Sequence, residues 1–263
     1  MAEKFEKEKK PAAQIVRLAR GGQKITAHEI LAGLFTDFFE LHGDRAGSDD
    51  RAVIGGLAVF HGRPVTVIAT DRGTSAAERQ ATHFGSPMPG GYRKALRLIE
   101  EAGRWRRPVF CFVNTPGAYP SKEAEEQGQG QAIAQALLEI GQVSTPIISI
   151  IYGEGGSGGA LALACGDQVW MLENSTYSVL SPEGFASILW KDSRKAPKAA
   201  EVMDLTPQAL LEKGVIEGVI PESADHQAVC ANMDAVLKRE LARLEELTPA
   251  DLLARRQARY RKF

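Results

Sequence analysis

The sequence predicts an α/β fold of stacked βαβ units, with a sheet inside and helices around it. Three observations predict it. Continuous apolar runs at residues 53–60, 65–70, 109–115 and 146–152, rich in Val and Ile, read as buried strands. Amphipathic helical patterns alternate with them, as stacked strand–helix–strand units require. The chain has 263 residues, 44% hydrophobic and 25% charged, which is enough to bury one substantial core.

The elements follow in order. Residues 1–10, MAEKFEKEKK, carry too much charge to be buried and read as a frayed tail. A short helix starts near Pro11, with Ile15, Val16 and Leu18 on its apolar face. Residues 1–25 thus form a tail and helix ahead of a single domain over 26–263. Residues 26–41 read as a second helix: Thr26 and Glu29 match a capping box, and Ile30, Leu31, Leu34, Phe35 and Phe38 recur at helical spacing. His61-Gly62-Arg63-Pro64 turns the first two strands into a hairpin. Residues 72–90 read as a loop, 91–105 and 125–143 as helices, and 168–174 and 215–221 as further strands. Beyond Lys195 the pattern is helical at 195–204, 207–213 and 226–246, with a last helix opened by Thr248-Pro249.

Bulk properties narrow the function. A net charge of −1 gives no case for general nucleic-acid binding. No apolar run approaches the ~18 residues of a membrane span. The N-terminus lacks the apolar core of a signal peptide. Cys111, Cys165 and Cys230 are scattered, which fits reduced thiols in a cytoplasmic protein and no metal site built from this chain. The basic end around Arg255, Arg256, Arg259, Arg261 and Lys262 reads as a solvated tail, with an anionic partner as the alternative.

Chemistry concentrates in three stretches. Five of the seven residues from 153 to 159 are glycine, between a strand-like run and a small-residue helical run. Glycine amides at a helix start can stabilise a developing anion. The string Gly155-Gly156-Ser157-Gly158-Gly159 also matches a nucleophile elbow, for which Ser157 would need His226, the one histidine after it. A phosphate cradle lacks its Lys-Ser/Thr ending, and close helix–strand contact is the bland alternative. The second stretch is Asn114-Thr115-Pro116-Gly117-Ala118-Tyr119-Pro120 at a strand's carboxyl end. Gly117 and Ala118 would supply backbone donors there and Tyr119 an apolar wall, or the two prolines simply make a rigid turn. In the third, Ser181 caps a helix through Trp190, and Glu183 either favours its dipole or acts as a base. The five histidines, at 28, 42, 61, 83 and 226, form no metal-ligand pattern.

Taken together, ELHGDR (40–45), GYRKALRL (91–98), TPGAYP (115–120), the 153–163 glycine run and YSVLSPEGFASILWK (177–191) resemble the carboxyltransferase alpha subunit of bacterial acetyl-CoA carboxylase, in that family's order. The resemblance covers about residues 28–222. It implies a crotonase-like (ClpP/crotonase) spiral of ββα units with extra terminal helices. It also implies transfer of a carboxyl group from N-carboxybiotin to acetyl-CoA, giving malonyl-CoA for fatty acid synthesis. The implied partners are a carboxyltransferase beta subunit in an alpha2beta2 heterotetramer, a biotin carboxyl carrier protein and biotin carboxylase. Zinc would sit only on the beta subunit, and no cofactor would be covalently bound. Carried onto this chain, Gly155 and Gly156 would be catalytic through their N–H groups, and Gly117, Ala118, Tyr119, Ser157 and Gly158 would bind biotin or substrate. The chain departs from the family pattern at 71–85, where positive charges are fewer, and at 121–128, where glycines are lost. Rival readings are a scaffold copy and a serine hydrolase through Ser157.

Overall fold

The computed structural model describes residues 10–263, so all but Lys10 of the expected tail lies outside the described residues. The chain opens with α1 (Ala12–Arg20), α2 (Ala27–Leu34), β1 (Thr36–Glu40), β2 (Val53–Phe60), β3 (Arg63–Thr70) and α3 (Ala76–Ala81). Next come α4 (Pro89–Arg104), β4 (Val109–Thr115), α5 (Lys122–Glu126), α6 (Gln129–Ile140), β5 (Ile147–Gly156) and α7 (Ser157–Leu161). β6 (Gln168–Leu172), β7 (Thr176–Ser178), α8 (Pro182–Trp190), α9 (Ala196–Val202) and α10 (Pro207–Glu212) follow. β8 (Gly218–Ile220), α11 (His226–Glu245) and α12 (Pro249–Tyr260) close the chain.

The strands form one mixed sheet in the order β1-β2-β3-β4-β5-β6-β8. β1, β2 and β3 are antiparallel, and every pairing from β3 onward is parallel. Covered on both faces, the central strands need apolar side chains throughout, which is why they read as unbroken runs. One core cluster joins Ile30, Leu34, Phe112, Ile150 and Leu237; the other joins Val53, Leu98, Val113, Ile140 and Ile151.

Local chemistry explains most element ends. The Thr26–Glu29 capping box forms as expected: Thr26 Oγ1 accepts from Glu29 N at 3.2 Å, and Thr26 N donates to Glu29 Oε2 at 2.8 Å. The hairpin turn narrows to His61-Gly62, both left-handed at φ +48° and +77°, as a two-residue primed turn demands.

Several boundaries differ from the sequence reading. The helix expected over 26–41 stops at Leu34, and Thr36–Glu40 becomes β1, antiparallel to β2. Phe35 turns into an aromatic cluster with Phe60, Phe110 and Phe112, at centroid distances of 5.7, 5.9 and 6.0 Å. That burial and the ladder bonds to β2 outweigh the helical spacing of Phe35 and Phe38. The expected loop 72–90 contains α3, capped by Ser75 and Glu78, and the start of α4. The expected helix 125–143 is two helices, broken at Gly128 with φ +85°. Ser121 caps the first, accepting from Ala124 N at 3.1 Å.

The basic end is a solvated tail only in part: Arg255, Arg261 and Lys262 are exposed, while Arg256 and Arg259 are buried. Arg256, on α12, is 1% exposed. It donates to Asp167 Oδ1 at 2.9 Å and Oδ2 at 2.7 Å, and to the carbonyls of Ile140, Val143 and Thr145. Arg259 likewise grips Glu217 and the Val215 carbonyl. All three cysteines are free thiols, as expected, and all three are buried.

Candidate active site: a glycine corner at the end of the fifth strand

The glycine cluster was expected at a helix start, but half of it is strand. β5 runs through Gly156, changing partner on one side as it goes: Ile148–Ile151 pair with β6, and Glu154–Gly156 pair with β7. Gly155 is buried and held on both sides, opposite Thr115 and Tyr177. The chain then turns at Ser157, whose φ is +56°, into the five-residue α7. A non-glycine residue in that region stores about 1–3 kcal/mol of strain, which clusters at functional sites. Gly156 and Gly158 are half-buried and Ser157 is exposed, so backbone at this corner reaches solvent.

The second stretch lies directly against the corner. A Cβ on Gly156 would sit 2.1 Å from the Pro116 carbonyl oxygen, and one on Gly159 would sit 2.5 Å from Ala118 N. Only glycine permits this approach. Gly117 N–H donates to Thr115 Oγ1 at 3.1 Å, so it shapes the turn rather than facing a ligand. The Ala118 N–H meets no acceptor among the described residues. Tyr119 stacks on His83 with ring centroids 4.3 Å apart, and its N–H donates to the Pro87 carbonyl at 3.0 Å. It does not line the small cavity of about 60 Å³ at the corner, which Gly155, Gly156 and Ser157 border.

Behind the corner runs a chain of charges that sequence reasoning missed. Glu154, buried between two cations, accepts from Arg20 Nε at 2.6 Å and from an Arg72 guanidinium nitrogen at 2.7 Å. Its N–H donates to Asn114 Oδ1 at 3.0 Å, tying β5 to the end of β4. Arg20 continues to Glu183 at 2.7 Å. Its hydrogen bonds hold the Glu183 carboxyl below the usual glutamate range, against a smaller opposing effect of burial. Glu183 is therefore an anchored anion and a weak base. Ser181 caps α8 as expected, accepting from Gly184 N at 3.1 Å. One signal for this network was available: an acidic residue wedged between an apolar strand and glycines needs a cation.

A family model for acetyl co-enzyme A carboxylase carboxyltransferase-like proteins matches residues 3–263. The chain belongs to this family. It is 50% identical over 252 residues to the acetyl-coenzyme A carboxylase carboxyl transferase subunit alpha of Streptococcus sanguinis, across 95% of this chain and 98% of that one. Against the subunit of the same name from Halalkalibacterium halodurans it is 49% identical over 255 residues, across 95% and 78% of the two chains.

Two solved structures share the fold. One is transcarboxylase 12S with methylmalonyl-coenzyme A and methylmalonic acid bound, with a TM-score of 0.67 at 17% identity. The other is the P. aeruginosa geranyl-CoA carboxylase beta subunit, with a TM-score of 0.64 at 16% identity. The match takes in 86% and 90% of this chain but only 44% and 48% of those chains. At such identities the likeness shows the crotonase-like carboxyltransferase fold alone.

In this carboxyltransferase-like chain the serine-elbow reading loses its base. His226 Nδ1 faces Glu29 Oε1 at 3.0 Å and Nε2 faces the Gln23 carbonyl at 3.1 Å. No histidine lines the cavity beside Ser157. A fluorophosphonate probe is therefore expected to leave the purified chain unmodified. Labelling that disappears in Ser157→Ala would reinstate the hydrolase.

Proposed function

We propose that this chain is the alpha subunit of an acetyl-CoA carboxylase carboxyltransferase. It would assemble with a beta subunit as an alpha2beta2 heterotetramer, in the cytoplasm. Its reaction is transfer of the carboxyl group from N-carboxybiotin to acetyl-CoA, forming malonyl-CoA for fatty acid synthesis. The carboxybiotin arrives on a biotin carboxyl carrier protein charged by biotin carboxylase.

The observation that carries this reading is the corner itself: solvent-reaching backbone, set by a strained strand-to-helix turn, where the one carboxylate lining the cavity, Glu154, is already held by Arg20 and Arg72. The amides of Gly156, Ser157 and Gly158, which Gly155 positions from within the sheet, hold negative charge on the biotin ureido oxygen as the carboxyl group leaves. The released ureido anion is basic enough to take the methyl proton of acetyl-CoA, so no side-chain base is needed. Each well-aimed donor in such a site contributes about 3 kcal/mol to the transition state. Gly117 and Ala118 form the turn packed against the corner, and Tyr119 stacks on His83 instead.

A cavity of about 60 Å³ at the corner is too small to enclose the biotin ring system. That supports a site completed by a partner. The exposed apolar side chains of Val179, just past β7, and of Ile188 and Leu189 on α8 offer the surface for it. In this reading zinc belongs to the beta subunit; among the described residues no group of three His, Cys, Asp or Glu side chains is placed to hold a metal. No helix among them is long and apolar enough to cross a membrane.

Co-expression with the beta subunit tests the reading. A complex of two alpha and two beta chains should form malonyl-CoA from free carboxybiotin and acetyl-CoA, while this chain alone should not. A stable complex without turnover would favour the scaffold reading instead.

A further inference from the structure

The backbone ladder that carries β5 lapses just before the corner. On one side Val113 faces Ile151 but Thr115 faces Gly155, so the register with β4 slips between them. On the other side pairing with β6 ends at Ile151, and pairing with β7 begins at Glu154. Tyr152 and Gly153 thus stand outside both ladders, and side chains hold this stretch instead. Tyr152 Oη donates to the Thr70 carbonyl at 2.6 Å, and Asn114 Oδ1 accepts from Glu154 N at 3.0 Å. Only glycine at 153 leaves room for Asn114, since a Cβ would lie 2.3 Å from its Oδ1.

Glu154 is the last residue before Gly155 and Gly156. Arg72 ties its carboxylate to the loop after β3, and Arg20 ties it to α8. Arg20 ends α1 and commits its whole guanidinium fork. Nη1 and Nη2 donate to the two oxygens of Glu183 at 2.7 and 3.2 Å, and Nε donates to Glu154 at 2.6 Å. The same side chain borders the corner cavity, alongside Gly155, Gly156 and, from the start of α8, Ser181 and Pro182. Each of its three nitrogens already meets a carboxylate, so it acts on the site through them.

Stability does not account for this arrangement. The Arg20 side chain is 34% exposed and that of Glu183 46%, and ion pairs so wetted contribute little to folding. Other contacts fasten α1: Ala12 and Val16 pack with Ala200 and Leu205, and Ala13 N donates to Glu201 at 3.1 Å. What a planar fork on two carboxylates does supply is orientation, which a lysine ammonium cannot reproduce.

We infer that Arg20 is a positioning residue for carboxyl transfer: through Glu154 and Glu183 it sets the glycine corner against the start of α8, across the gap in the ladder. The inference rests on the corner being the catalytic site, and its first test is independent of turnover.

That test is hydrogen–deuterium exchange on the free chain. In Arg20→Gln the segment 153–156 should exchange about tenfold faster, the worth of one charge-assisted hydrogen bond. Exchange along α11 and the melting temperature should not change. Unaltered exchange at 153–156 overturns the inference. So does a general rise in exchange with a lowered melting temperature, which would make Arg20 a structural residue only.

Turnover supplies the second test, in the complex with the beta subunit. Arg20→Gln should lower kcat for malonyl-CoA formation about tenfold, with KM for acetyl-CoA unchanged. Glu183→Gln should lower kcat less, and have no further effect in the Arg20→Gln background, because it acts through Arg20. Arg20→Lys should not restore kcat. Full turnover by Arg20→Lys, or additive losses in the double variant, overturns the positioning role. An unaltered complex that forms no malonyl-CoA overturns the reading of the corner, and the exchange result still decides what Arg20 does.

Discussion

Replacing Gly156 with alanine should abolish most carboxyl transfer while leaving the assembly with the beta subunit intact. The added methyl would lie 2.1 Å from the Pro116 carbonyl oxygen and 2.3 Å from its carbon, so backbone must move. Either β5 retreats or the Pro116–Ala118 turn lifts, and both displace the corner amides. Loss of one aligned donor costs about 10²–10³ in kcat. Repacking a single methyl costs about 1–3 kcal/mol of stability, which a chain of this size tolerates. The measurement is kcat for malonyl-CoA formation by the purified complex, with its mass verified by light scattering. Normal turnover in a correctly assembled Gly156→Ala complex would sink the amide mechanism.

The largest stability effect is expected at Arg256, far from the corner. Arg256→Ala removes both guanidinium bonds from the buried Asp167 carboxylate, leaving it only the Ile147 N–H, and takes a donor from the carbonyls of Ile140, Val143 and Thr145. Breaking such a pair from one side costs about 3–5 kcal/mol. For a chain this long that lowers the melting temperature by on the order of 10 °C. Removing both charges, as in Arg256→Met with Asp167→Leu, should recover part of the loss because no uncompensated ion remains. Calorimetry showing Arg256→Ala within about 1 °C of the unaltered chain would mean the clamp is not used.

The sequence showed the sheet's centre clearly because burial on both faces forces unbroken apolar runs, as at 109–115 and 146–152. It was ambiguous where two periodicities coincide. Phe35 and Phe38 satisfy a helical pattern and also fit an edge strand, and only the position of β2 decides between them. The corner and the 115–120 turn were legible because glycines and prolines mark backbone geometry locally. Their mutual contact was not, nor was the Arg72–Glu154–Arg20–Glu183 chain, which joins residues separated by up to 163 positions. Arg256 was misread for the same reason: a cluster of cations at a chain end resembles a solvated tail until Asp167 is placed beneath it.

The partner exchange of β5, from β6 to β7 within one strand, has a consequence for how the site opens and closes. Ligand-binding segments commonly belong to the least stable cooperative units of a protein, opening locally well before the rest. Here Gly155 is woven between β4 and β7, in the same continuous strand that crosses the middle of the sheet. Its amide should exchange with deuterium on the timescale of global unfolding, while the first-turn amides of α7, a few residues on, exchange readily. The corner is therefore a fixed anvil, and whatever motion the catalytic cycle requires is left to the chains and ligands that come to it.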